Sequence, residues 1–367
     1  MCDTKHCTKN NNNSRNNNKN NVKFIIREAT KQDCPSLKQL IIGLAKYESR
    51  SLETLPNIEQ LEEYGFADQL AKRLFRTVVA QLDGGDGDNN ELIGYALYYR
   101  NYTPSQGKGM YMEDLYVDSE YRGCGVGRAL VAQVAKQCVD AECTSMEWLC
   151  YGWNTSSLDF YKNLGAVDIQ ESLECHKFGI SGDDKLAQLA NKTVDQQSIK
   201  YKIRTGVRDD CPAVREMILK FTVDVKMNLN KVVTLDQLRD DGFGDDKDSR
   251  QYRLLVVQLD DSSELIGFAI YYNDYSLNDG KGLWLDTLYV KPQYRRSGVG
   301  RLLMSRVASE AIADRCHTVC WGCYAWNRRA IDFYEQFGAI NYSLVYDLRL
   351  FAIDGPALKQ LADCALQ

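Results

Sequence analysis

Apolar and polar positions along this chain form two similar series of segments. Each series begins with a short strand-like run, at residues 22–27 and 199–204, followed by apolar residues at helical spacing. Two strand-like runs separated by a polar loop then predict a hairpin, and a third strand, a glycine-rich turn and a helix follow. A further strand, a short helix and a closing strand complete each series. The order β-α-β-β-β-α-β-α-β predicts an α/β fold with a mixed (α+β) sheet rather than a doubly wound parallel sheet.

The sequence itself repeats. Tyr121-Arg-Gly-Cys-Gly-Val-Gly-Arg128 recurs as Tyr294-Arg-Arg-Ser-Gly-Val-Gly-Arg301, an offset of 294 − 121 = 173 residues. We therefore predict two tandem domains, at residues 22–180 and 199–367, joined by a linker at 181–198. Residues 1–21 are rich in asparagine and have almost no apolar content to offset the entropy of ordering, so they are predicted to form a disordered tail.

Composition narrows the functional classes. The net charge of −5 and the lack of a basic block in the sequence argue against a nucleic-acid partner, and the acidic balance suits a cationic substrate. The sequence has no run of 18 apolar residues, so no membrane span is expected. Thirteen cysteines, an odd count without an apolar signal segment, indicate free thiols in a reducing compartment. We therefore expect a cytoplasmic protein.

Two cysteine patterns are candidate chemical sites. Cys320 and Cys323 have the spacing of a redox motif, but they lie in a strand-like apolar run whose first copy has only Cys150, so we interpret them as strand residues. With three histidines in the chain, no Cys/His set has the spacing of zinc ligands, and no metal is expected.

The glycine-rich turns give the main chemical signal. Arg122-x-x-Gly125-x-Gly127 and its copy at residues 295–300 each follow a strand and open a helix. Glycines let several backbone N–H groups face one anion, and the helix N-terminus and the arginine add positive potential, as a pyrophosphate requires. Several strands precede the turn, unlike a dinucleotide fingerprint, and it lacks the Lys-Ser/Thr ending of an ATP-binding loop. Coenzyme A is the remaining common ligand with a pyrophosphate.

Together with the Trp-Asn, Phe-Tyr and Gly-Ala pairs that follow it, this turn resembles the GNAT acetyltransferase superfamily. Residues 45–48, 62–66, 94–99 and 112–123 are similar to the diamine (spermidine/spermine) acetyltransferases and their thialysine-acetylating relatives. The likeness covers nearly all of both copies and is stronger in the first.

The resemblance implies two tandem GNAT-like domains that transfer an acetyl group from acetyl-CoA, as co-substrate, to a primary amine of a small substrate. It assigns removal of the amine proton to Glu113 and protonation of the leaving thiolate to Tyr161, with Asp286 and Tyr334 as their second-copy counterparts. Asp114 would contact the substrate. The implied coenzyme contacts are Arg122, Gly123, Gly125, Gly127 and Asn154, and in the second copy Arg295, Arg296, Gly298, Gly300 and Asn327.

Elementary chemistry agrees with these roles. A primary amine with a pKa near ~10 is protonated at neutral pH and cannot attack a thioester until a carboxylate removes its proton. A phenol can protonate a thiolate that leaves with a pKa of ~8–9. Strand N–H groups near Asp114 and Leu115 could hold the oxyanion.

Structural roles compete with some of these assignments. Tyr161 and Tyr334 could instead pack one face of an amphipathic helix, and Asn154 and Asn327 could simply cap that helix. The tyrosine pairs of the predicted hairpins, at 98–99 and 271–272, are interpreted as sheet aromatics.

The acids differ between the copies. Glu113 and Asp114 are neighbours on a predicted strand and are expected to face opposite sides. Asp286 replaces Glu113 with a side chain one methylene shorter, and Thr287 replaces Asp114 and removes a charge. Positions at which the diamine enzymes have acidic or aromatic residues are also changed in both copies, at Thr103, Ser276, Leu173, Cys175, Tyr346 and Leu348. The substrate is therefore left open among a polyamine or diamine, a smaller amine and a lysine analogue.

The diamine acetyltransferases are homodimers with sites at the subunit interface, so the resemblance implies that the two copies form an intramolecular pseudo-dimer. We expect the first copy to be the competent site and the second to be slower or structural. Two alternatives remain: a weak or inactive acetyl-CoA-binding protein that contacts other proteins, and a protein lysine acetyltransferase.

Overall fold

The computed structural model describes residues 22–69, 73–83, 91–192, 200–246 and 249–366. Both copies contribute elements in the same order. The first copy contains β1 (Phe24–Glu28), α1 (Cys34–Tyr47), α2 (Ile58–Phe66), β2 (Arg76–Leu82), β3 (Leu92–Thr103), β4 (Gly107–Val117), α3 (Val126–Asp140), β5 (Ser145–Tyr151), α4 (Thr155–Asn163), β6 (Val167–Asp168), α5 (Ile169–Leu173), β7 (Cys175–Ser181) and α6 (Asp183–Ala190).

The second copy contains β8 (Tyr201–Thr205), α7 (Cys211–Asp224), α8 (Leu235–Phe243), β9 (Arg253–Leu259), β10 (Leu265–Ser276), β11 (Gly280–Val290), α9 (Val299–Ala313), β12 (Thr318–Tyr324), α10 (Arg328–Glu335), β13 (Ile340–Asn341), α11 (Tyr342–Val345), β14 (Leu348–Asp354) and α12 (Gly355–Asp363). The predicted α/β class is confirmed. Short helices and two-residue strands are added to the predicted order.

The strands form two seven-stranded mixed sheets that exchange their closing strands. Their orders are β1-β2-β3-β4-β5-β14-β6 and β13-β7-β12-β11-β10-β9-β8. The strand β14, from the second copy, pairs antiparallel with β5, and β7, from the first copy, pairs antiparallel with β12. The helices that follow go with them, since α12 packs on α3 and α6 packs on α9. Each sheet is therefore completed by the other copy.

This exchange gives the predicted boundaries a different meaning. The ranges 22–180 and 199–367 delimit sequence copies, but neither contains all strands of one sheet. The segment 181–198, predicted to be a linker, includes the helix α6, whose Leu186 and Leu189 are buried. The rest of that segment from residue 193, and the predicted disordered tail, lie outside the described residues.

The hairpins β3–β4 and β10–β11 make a second, reciprocal contact between the copies. Tyr102, at the end of β3, packs in the core of the second copy with its ring stacked 4.8 Å from that of Tyr252. Its counterpart Tyr275 packs in the core of the first copy, 4.6 Å from the ring of Phe75. Truncating a buried aromatic side chain costs about 3–5 kcal/mol. The two cores therefore depend on each other.

Each sheet lies between two layers of helices, which fixes the faces of the central strands. In β3, Ala96 and Tyr98 belong to the core formed with α3, whereas Tyr95 and Leu97 belong to the core formed with α1 and α2. The tyrosine pairs are thus sheet residues, as predicted. Among the described residues, no helix combines the length and the apolarity needed to cross a bilayer.

The Asp-Cys-Pro sequence begins the first helix of each copy. Pro35 lies in the first turn of α1, where its missing N–H needs no partner. The Asp33 carboxylate makes no cap to this helix; it accepts hydrogen bonds of 2.7 and 2.8 Å from Arg27. Burial raises the pKa of Asp33, but the hydrogen bonds from Arg27 and Thr30 and the Arg27 charge together lower it more, so the pKa stays below its usual value. Arg204 and Asp210 repeat this pair.

The cysteines of the second-copy motif are strand residues. Cys320 and Cys323 are free and buried in β12, and burial raises the pKa of both thiols. This confirms the strand interpretation, since a reactive thiol needs a lowered pKa. No group of three or more metal-ligating side chains occurs in the part of the chain that the structure describes.

Candidate active site

The cleft of the first copy opens where β4 and β5 separate. These parallel strands pair only through residues 109–111 and 145–147. Beyond this point a cavity of about 410 Å³ lies between the strands, the glycine-rich turn and α4. No described strand pairs with the β5 side of β4 past Tyr111, so the backbone groups on that edge are available to a ligand.

A β-bulge brings Glu113 into this cleft. In the ladder between β3 and β4, Leu97 pairs with Asp114 and Tyr98 with Met112, so Glu113 has no opposite residue. Strand alternation alone predicts that Glu113 and Asp114 face opposite sides. The bulge interrupts the pleat, and both side chains line the cleft.

Asp114 belongs to a buried charge network. Its carboxylate accepts a hydrogen bond from the Tyr95 hydroxyl at 2.7 Å and lies 3.9 Å from the Arg50 guanidinium. Arg50 also pairs with Glu48 at 2.7 Å and donates to the side-chain oxygen of Asn278, from the second copy, at 2.9 Å. Together with Glu113 on the bulge, the region has three acids against two basic groups, Arg50 and the nearby Lys177, which favours a cationic ligand.

Burial changes the protonation of these acids. Desolvation raises the pKa of Glu113 to about 8; nearby Lys177 lowers it and Asp114 raises it further. Desolvation also raises the pKa of Glu48 to about 7 and that of Asp114 above its usual value, although Arg50 opposes both shifts. A carboxyl group with a pKa near 8 is better matched to accept an amine proton than one near ~4.

The glycine-rich turn forms an open anion site at the start of α3. Gly123 and Gly125 have φ angles of +80° and +86°, which glycine adopts without strain, and a Cβ at either position would meet no neighbouring atom within 4 Å. The Arg122 Nε donates to the carbonyl of Val117 at 2.9 Å, and its guanidinium lies 4.8 Å from the centre of the Tyr47 ring. The fixed cation, the curled backbone and the helix N-terminus together fit a diphosphate.

Helix α4 contributes Tyr161 to the cleft. Its ring packs 5.0 Å from Trp148 and 5.7 Å from Phe351, which lies on the exchanged strand β14. Its hydroxyl makes no hydrogen bond within the described residues, and burial raises its pKa well above the usual value, so it stays protonated. Packing and a position in the cleft, which the sequence offered as alternatives, therefore occur together.

The two asparagines cap the helices that carry these tyrosines. Asn154 accepts a hydrogen bond from the Ser157 backbone at 3.3 Å and another from the Tyr47 hydroxyl at 3.1 Å. Asn327 accepts from the Ala330 backbone at 3.3 Å. The capping role is confirmed, and Asn154 also lines the cleft.

The second copy repeats the bulge with Asp286. Ile270 pairs with Thr287 and Tyr271 with Leu285, so Asp286 has no opposite residue. The Thr287 hydroxyl donates to the Asp286 carboxylate at 2.7 Å. Burial raises the pKa of Asp286 to about 7, against the lowering effect of the Thr287 hydroxyl.

The charge network is absent from the second copy as a set. Helices α1 and α7 begin at residues 34 and 211, an offset of 211 − 34 = 177, whereas the central strands keep the offset of 173. Through these offsets Glu48, Arg50, Tyr95 and Asp114 correspond to Val225, Met227, Phe268 and Thr287.

The second glycine-rich turn keeps its shape but not its surroundings. Gly298 has a φ of +88°, and Arg296 takes a φ of +65° where the first copy has Gly123. Arg295 Nε donates to the Val290 carbonyl at 2.9 Å, and the same guanidinium pairs with Asp224 at 2.9 Å. An anion must therefore compete with Asp224 for this arginine.

The other predicted second-copy residues keep equivalent places. Gly300 lies in the first turn of α9 beside Phe333, as Gly127 lies in α3 beside Phe160. The Tyr334 ring packs 4.8 Å from that of Trp321, and burial raises its pKa.

A second cavity, of about 210 Å³, lies between the copies. Its walls include Tyr99 and Glu147 from the first copy and Asp274 and Asp286 from the second. Leu149 lines both this cavity and the first-copy cleft. The first-copy cleft and the cavity between the copies are thus separated by few side chains.

The predicted site residues of the first copy line a single cavity, whereas those of the second copy do not. One cleft is lined by Glu113, Asp114, Tyr161, Arg122, Gly123, Gly125, Gly127 and Asn154. The second-copy base opens into the cavity between the copies, whose walls do not include Arg295, Arg296, Gly298, Gly300, Asn327 or Tyr334.

Sequence reasoning missed the polar residues that cross between the copies. Lys177 and Glu147 line the second cavity, and their counterparts at the offset of 173 are Leu350 and Cys320. A strand position that is charged in one copy and apolar at the equivalent place in the other is a signal that could have identified these residues. Which site each residue faces could not follow without knowledge of the strand exchange.

Comparison with known proteins gives an independent result. The sequence model of the Acetyltransferase (GNAT) family matches residues 47–166 and 227–339. The chain is 34% identical over 170 residues to thialysine N-epsilon-acetyltransferase of Bos taurus, an alignment that covers 46% of this chain and 98% of that protein.

Two solved structures share the fold over most of the chain. A GCN5-related N-acetyltransferase from Sphaerobacter thermophilus has a TM-score of 0.51 at 16% identity and covers 90% of this chain and 95% of its own. A tandem GNAT protein from the clavulanic acid biosynthesis pathway has a TM-score of 0.50 at 12% identity and covers 91% and 99%. At these identities they support the arrangement of two linked folds.

Proposed function

Because the chain belongs to the acetyltransferase (GNAT) family and is an N-acetyltransferase, we propose that its first copy acetylates a primary amine of a small cationic substrate with acetyl-CoA. The observation that carries this proposal is the convergence of Glu113, Tyr161 and the glycine-rich turn in one cleft. Family membership alone names the reaction class, whereas this convergence names the site.

The coenzyme is proposed to lie along the turn and the free edge of β4. Arg122, Gly123, Gly125 and Gly127 would hold its diphosphate, and Asn154 lies beside it in the same cleft. Acetyl-CoA supplies the acetyl thioester. Backbone N–H groups of β4 near Leu115, unpaired on the β5 side, would hold the carbonyl oxygen of the acetyl group.

Glu113 is proposed as the base. The amine enters as a cation, attracted by the surplus of buried carboxylates, and gives a proton to Glu113 before or as its nitrogen bonds to the acetyl carbon. The bulge supports this role because it directs the carboxylate into the cleft, and its raised pKa supports it because the group is then matched to an amine.

Tyr161 is proposed as the acid. As the C–S bond breaks, its hydroxyl protonates the leaving sulfur. The hydroxyl has no other described hydrogen-bond partner and stays protonated because burial raises its pKa. The contact of its ring with Phe351 makes this side chain depend on the strand supplied by the other copy.

The substrate is proposed to be a small amine with a second polar or cationic group, such as a diamine, a polyamine or a lysine analogue. Glu48 and Asp114 would contact that group, since both line the cleft beside Glu113. Similarity to a thialysine acetyltransferase favours the lysine analogue.

The second copy is proposed to be the weaker site, with Asp286 as base and Tyr334 as acid. Its coenzyme contacts would be Arg295, Arg296, Gly298, Gly300 and Asn327. Asp286 is shorter than Glu113, and Asp224 occupies Arg295. Both differences lower the activity expected from this copy.

We also propose that the copies form an intramolecular pseudo-dimer and that the chain is a monomer in solution. The exchanged strands and the reciprocal tyrosines support this arrangement. The described cysteines are free thiols, which supports a cytoplasmic location. Mass measurement in solution tests the first point, and an obligate dimer of chains would contradict it.

The proposed function is tested with acetyl-CoA and a panel of diamines, lysine analogues and lysine-containing peptides. Turnover of a small amine is expected. Tyr161→Phe should lower the kcat of the first copy by about 10²–10⁴-fold and leave acetyl-CoA affinity unchanged, because it removes the acid and not the diphosphate contacts. Tyr334→Phe is the matched control and should lower total turnover little. Acetylation of peptides alone would favour a protein lysine acetyltransferase, and coenzyme binding without turnover would favour a non-catalytic role.

A further inference from the structure

The cavity between the copies contains a carboxylate that has no cationic partner among the described residues. Glu147, on β5 of the first copy, accepts one long hydrogen bond of 3.4 Å from the Asn101 side chain. Burial raises its pKa to about 7, and no described basic group opposes that shift. An ionised carboxylate held in this way costs stability unless a cation binds beside it.

Glu147 adjoins the base of the second copy. Both Glu147 and Asp286 line the same cavity, and Glu147 raises the pKa of Asp286. The phenols of Tyr272 and Tyr324 interact electrostatically with both carboxylates. Tyr272 is only 9% exposed, lines the cavity, and its hydroxyl makes no hydrogen bond within the described residues. Two acids and two phenols from both copies therefore converge on this cavity. Lys177 also lines it, but its ammonium lies 5.8 Å from the centre of the Trp284 ring and is not among the groups that shift the pKa of Glu147 or Asp286.

The two bases are influenced by different charged groups near the interface, and only Glu113 has a cation among them. Glu113 is influenced by Lys177 and Asp274, whereas Asp286 is influenced by Glu147. The position of Glu147 in the other copy is Cys320, and that of Lys177 is Leu350. The second copy has lost its own acid at Thr287, and the first copy supplies one close to the same base.

We propose that Glu147 completes an amine-binding site for the second copy, in which the ammonium group of the acceptor lies between Asp286 and Glu147. This inference rests on the proposed function and adds a specificity-determining residue to it. The carbon chain of the amine packs against Phe221, Trp284 and Tyr324, which line the cavity. At about 210 Å³, against about 410 Å³ for the first-copy cleft, the site takes a short amine cation.

The test compares one substitution in two backgrounds. Glu147→Gln keeps the shape of the side chain and removes its charge. In the Tyr161→Phe background, where the second copy provides the remaining turnover, Glu147→Gln should raise the KM for a short amine about tenfold or more and leave the KM for acetyl-CoA unchanged. In the Tyr334→Phe background, where the first copy provides the turnover, the same change should leave both constants unaltered. Equal effects in both backgrounds, or none in either, would overturn the proposal.

A binding measurement separates this inference from the proposed function. Calorimetry with 1,4-diaminobutane, on the full chain saturated with coenzyme A, should show two sites in the parent protein and one in Glu147→Gln. Cys320→Ser, at the counterpart position, should keep both sites. If Glu147→Gln keeps both sites at unchanged affinity, or if the parent protein binds no diamine, the inference fails even where other amines are turned over.

A stability measurement excludes a merely structural role for Glu147. A neutral glutamine removes a buried charge, so the Tm of Glu147→Gln at pH 8 should equal or exceed that of the parent protein. A lowered Tm together with weaker binding of every ligand would mean that the carboxylate supports the fold, and would count against the proposal.

Discussion

The two copies have the same order of helices and strands, but the side chains beside the bulge at Glu113 differ from those beside the bulge at Asp286. In the first copy an ion network of Glu48, Arg50 and Asp114 is buried there, and the Tyr95 hydroxyl donates to it. In the second copy all four positions are uncharged, and three are apolar. A buried ion pair can be exchanged for apolar side chains at little cost when all partners change, but removal of one partner costs about 3–5 kcal/mol. The fold therefore does not need the network, and we infer that the first copy keeps it to bind its cationic substrate.

The largest expected difference between the copies concerns their bases. Glu113→Gln should lower the kcat of the first copy by about 10²–10⁴-fold, because the amide cannot accept the amine proton. Asp286→Asn is the matched change in the second copy and should reduce total turnover by less than half. Steady-state kinetics at saturating acetyl-CoA measures both. Similar losses from the two variants would show that the two copies contribute equally to turnover, and would contradict the proposal that the second copy is the weaker site.

The network can be broken singly or replaced as a set. Arg50→Met alone leaves two buried carboxylates without their cation and should lower the free energy of unfolding by about 3–5 kcal/mol. The fourfold variant Glu48→Val, Arg50→Met, Tyr95→Phe and Asp114→Thr copies the second interior and should cost much less. Denaturant unfolding measures both values.

The fourfold variant also tests whether the network binds the amine substrate. It should raise the KM for a cationic amine while acetyl-CoA still binds, since the turn at Arg122 is untouched. An unchanged amine KM in a folded fourfold variant would assign the network to some role other than substrate binding.

The pH dependence of turnover should differ between the copies. A base works when deprotonated, so a raised pKa moves the rise of activity to higher pH. In the Tyr334→Phe background kcat should rise about tenfold per pH unit up to the pKa of Glu113, about 8, and then level off. In the Tyr161→Phe background the plateau should begin near the pKa of Asp286, about 7.

Lys177 offers a control for this pH dependence. It lowers the pKa of Glu113, so Lys177→Met should move the first-copy midpoint to higher pH and leave the second-copy midpoint in place. A midpoint that does not move would show that another group limits turnover.

Local signals in the sequence were enough to predict the turns, the helix starts and the order of elements. Gly125 and Gly298 take positive φ angles at equivalent places, and Pro35 lies in the first turn of α1, because these effects act within a few residues. The cap at Asn154 was foreseen for the same reason. The bulge at Glu113 was not predicted, since it depends on how β3 and β4 align. Without the bulge, strand alternation alone predicted that Glu113 and Asp114 face opposite sides.

The strand exchange could not be predicted from the chain. β7 and β14 correspond to each other, and either could pair with β5 or with β12 without a change in its pattern of apolar residues. The choice depends on the path of the connecting segments and on contacts such as that of Phe351 with Tyr161. The roles of Lys177 and Glu147 were missed for this reason, because their distance from the bases follows from that choice.

The smallest expected difference concerns the coenzyme. Arg122 lies against the Tyr47 ring, whereas Arg295 pairs with Asp224 at the position corresponding to Tyr47. A surface ion pair is worth about 0.2–1 kcal/mol, so Asp224→Asn should tighten coenzyme A binding to the second copy by at most about fivefold. Calorimetry resolves the two sites when the first is weakened by Arg122→Gln. Tyr47→Phe, the matched first-copy change, keeps the ring over Arg122 and should leave second-copy affinity unaltered. If Asp224→Asn weakened binding instead, the ion pair would be holding Arg295 in position for the diphosphate rather than competing with it.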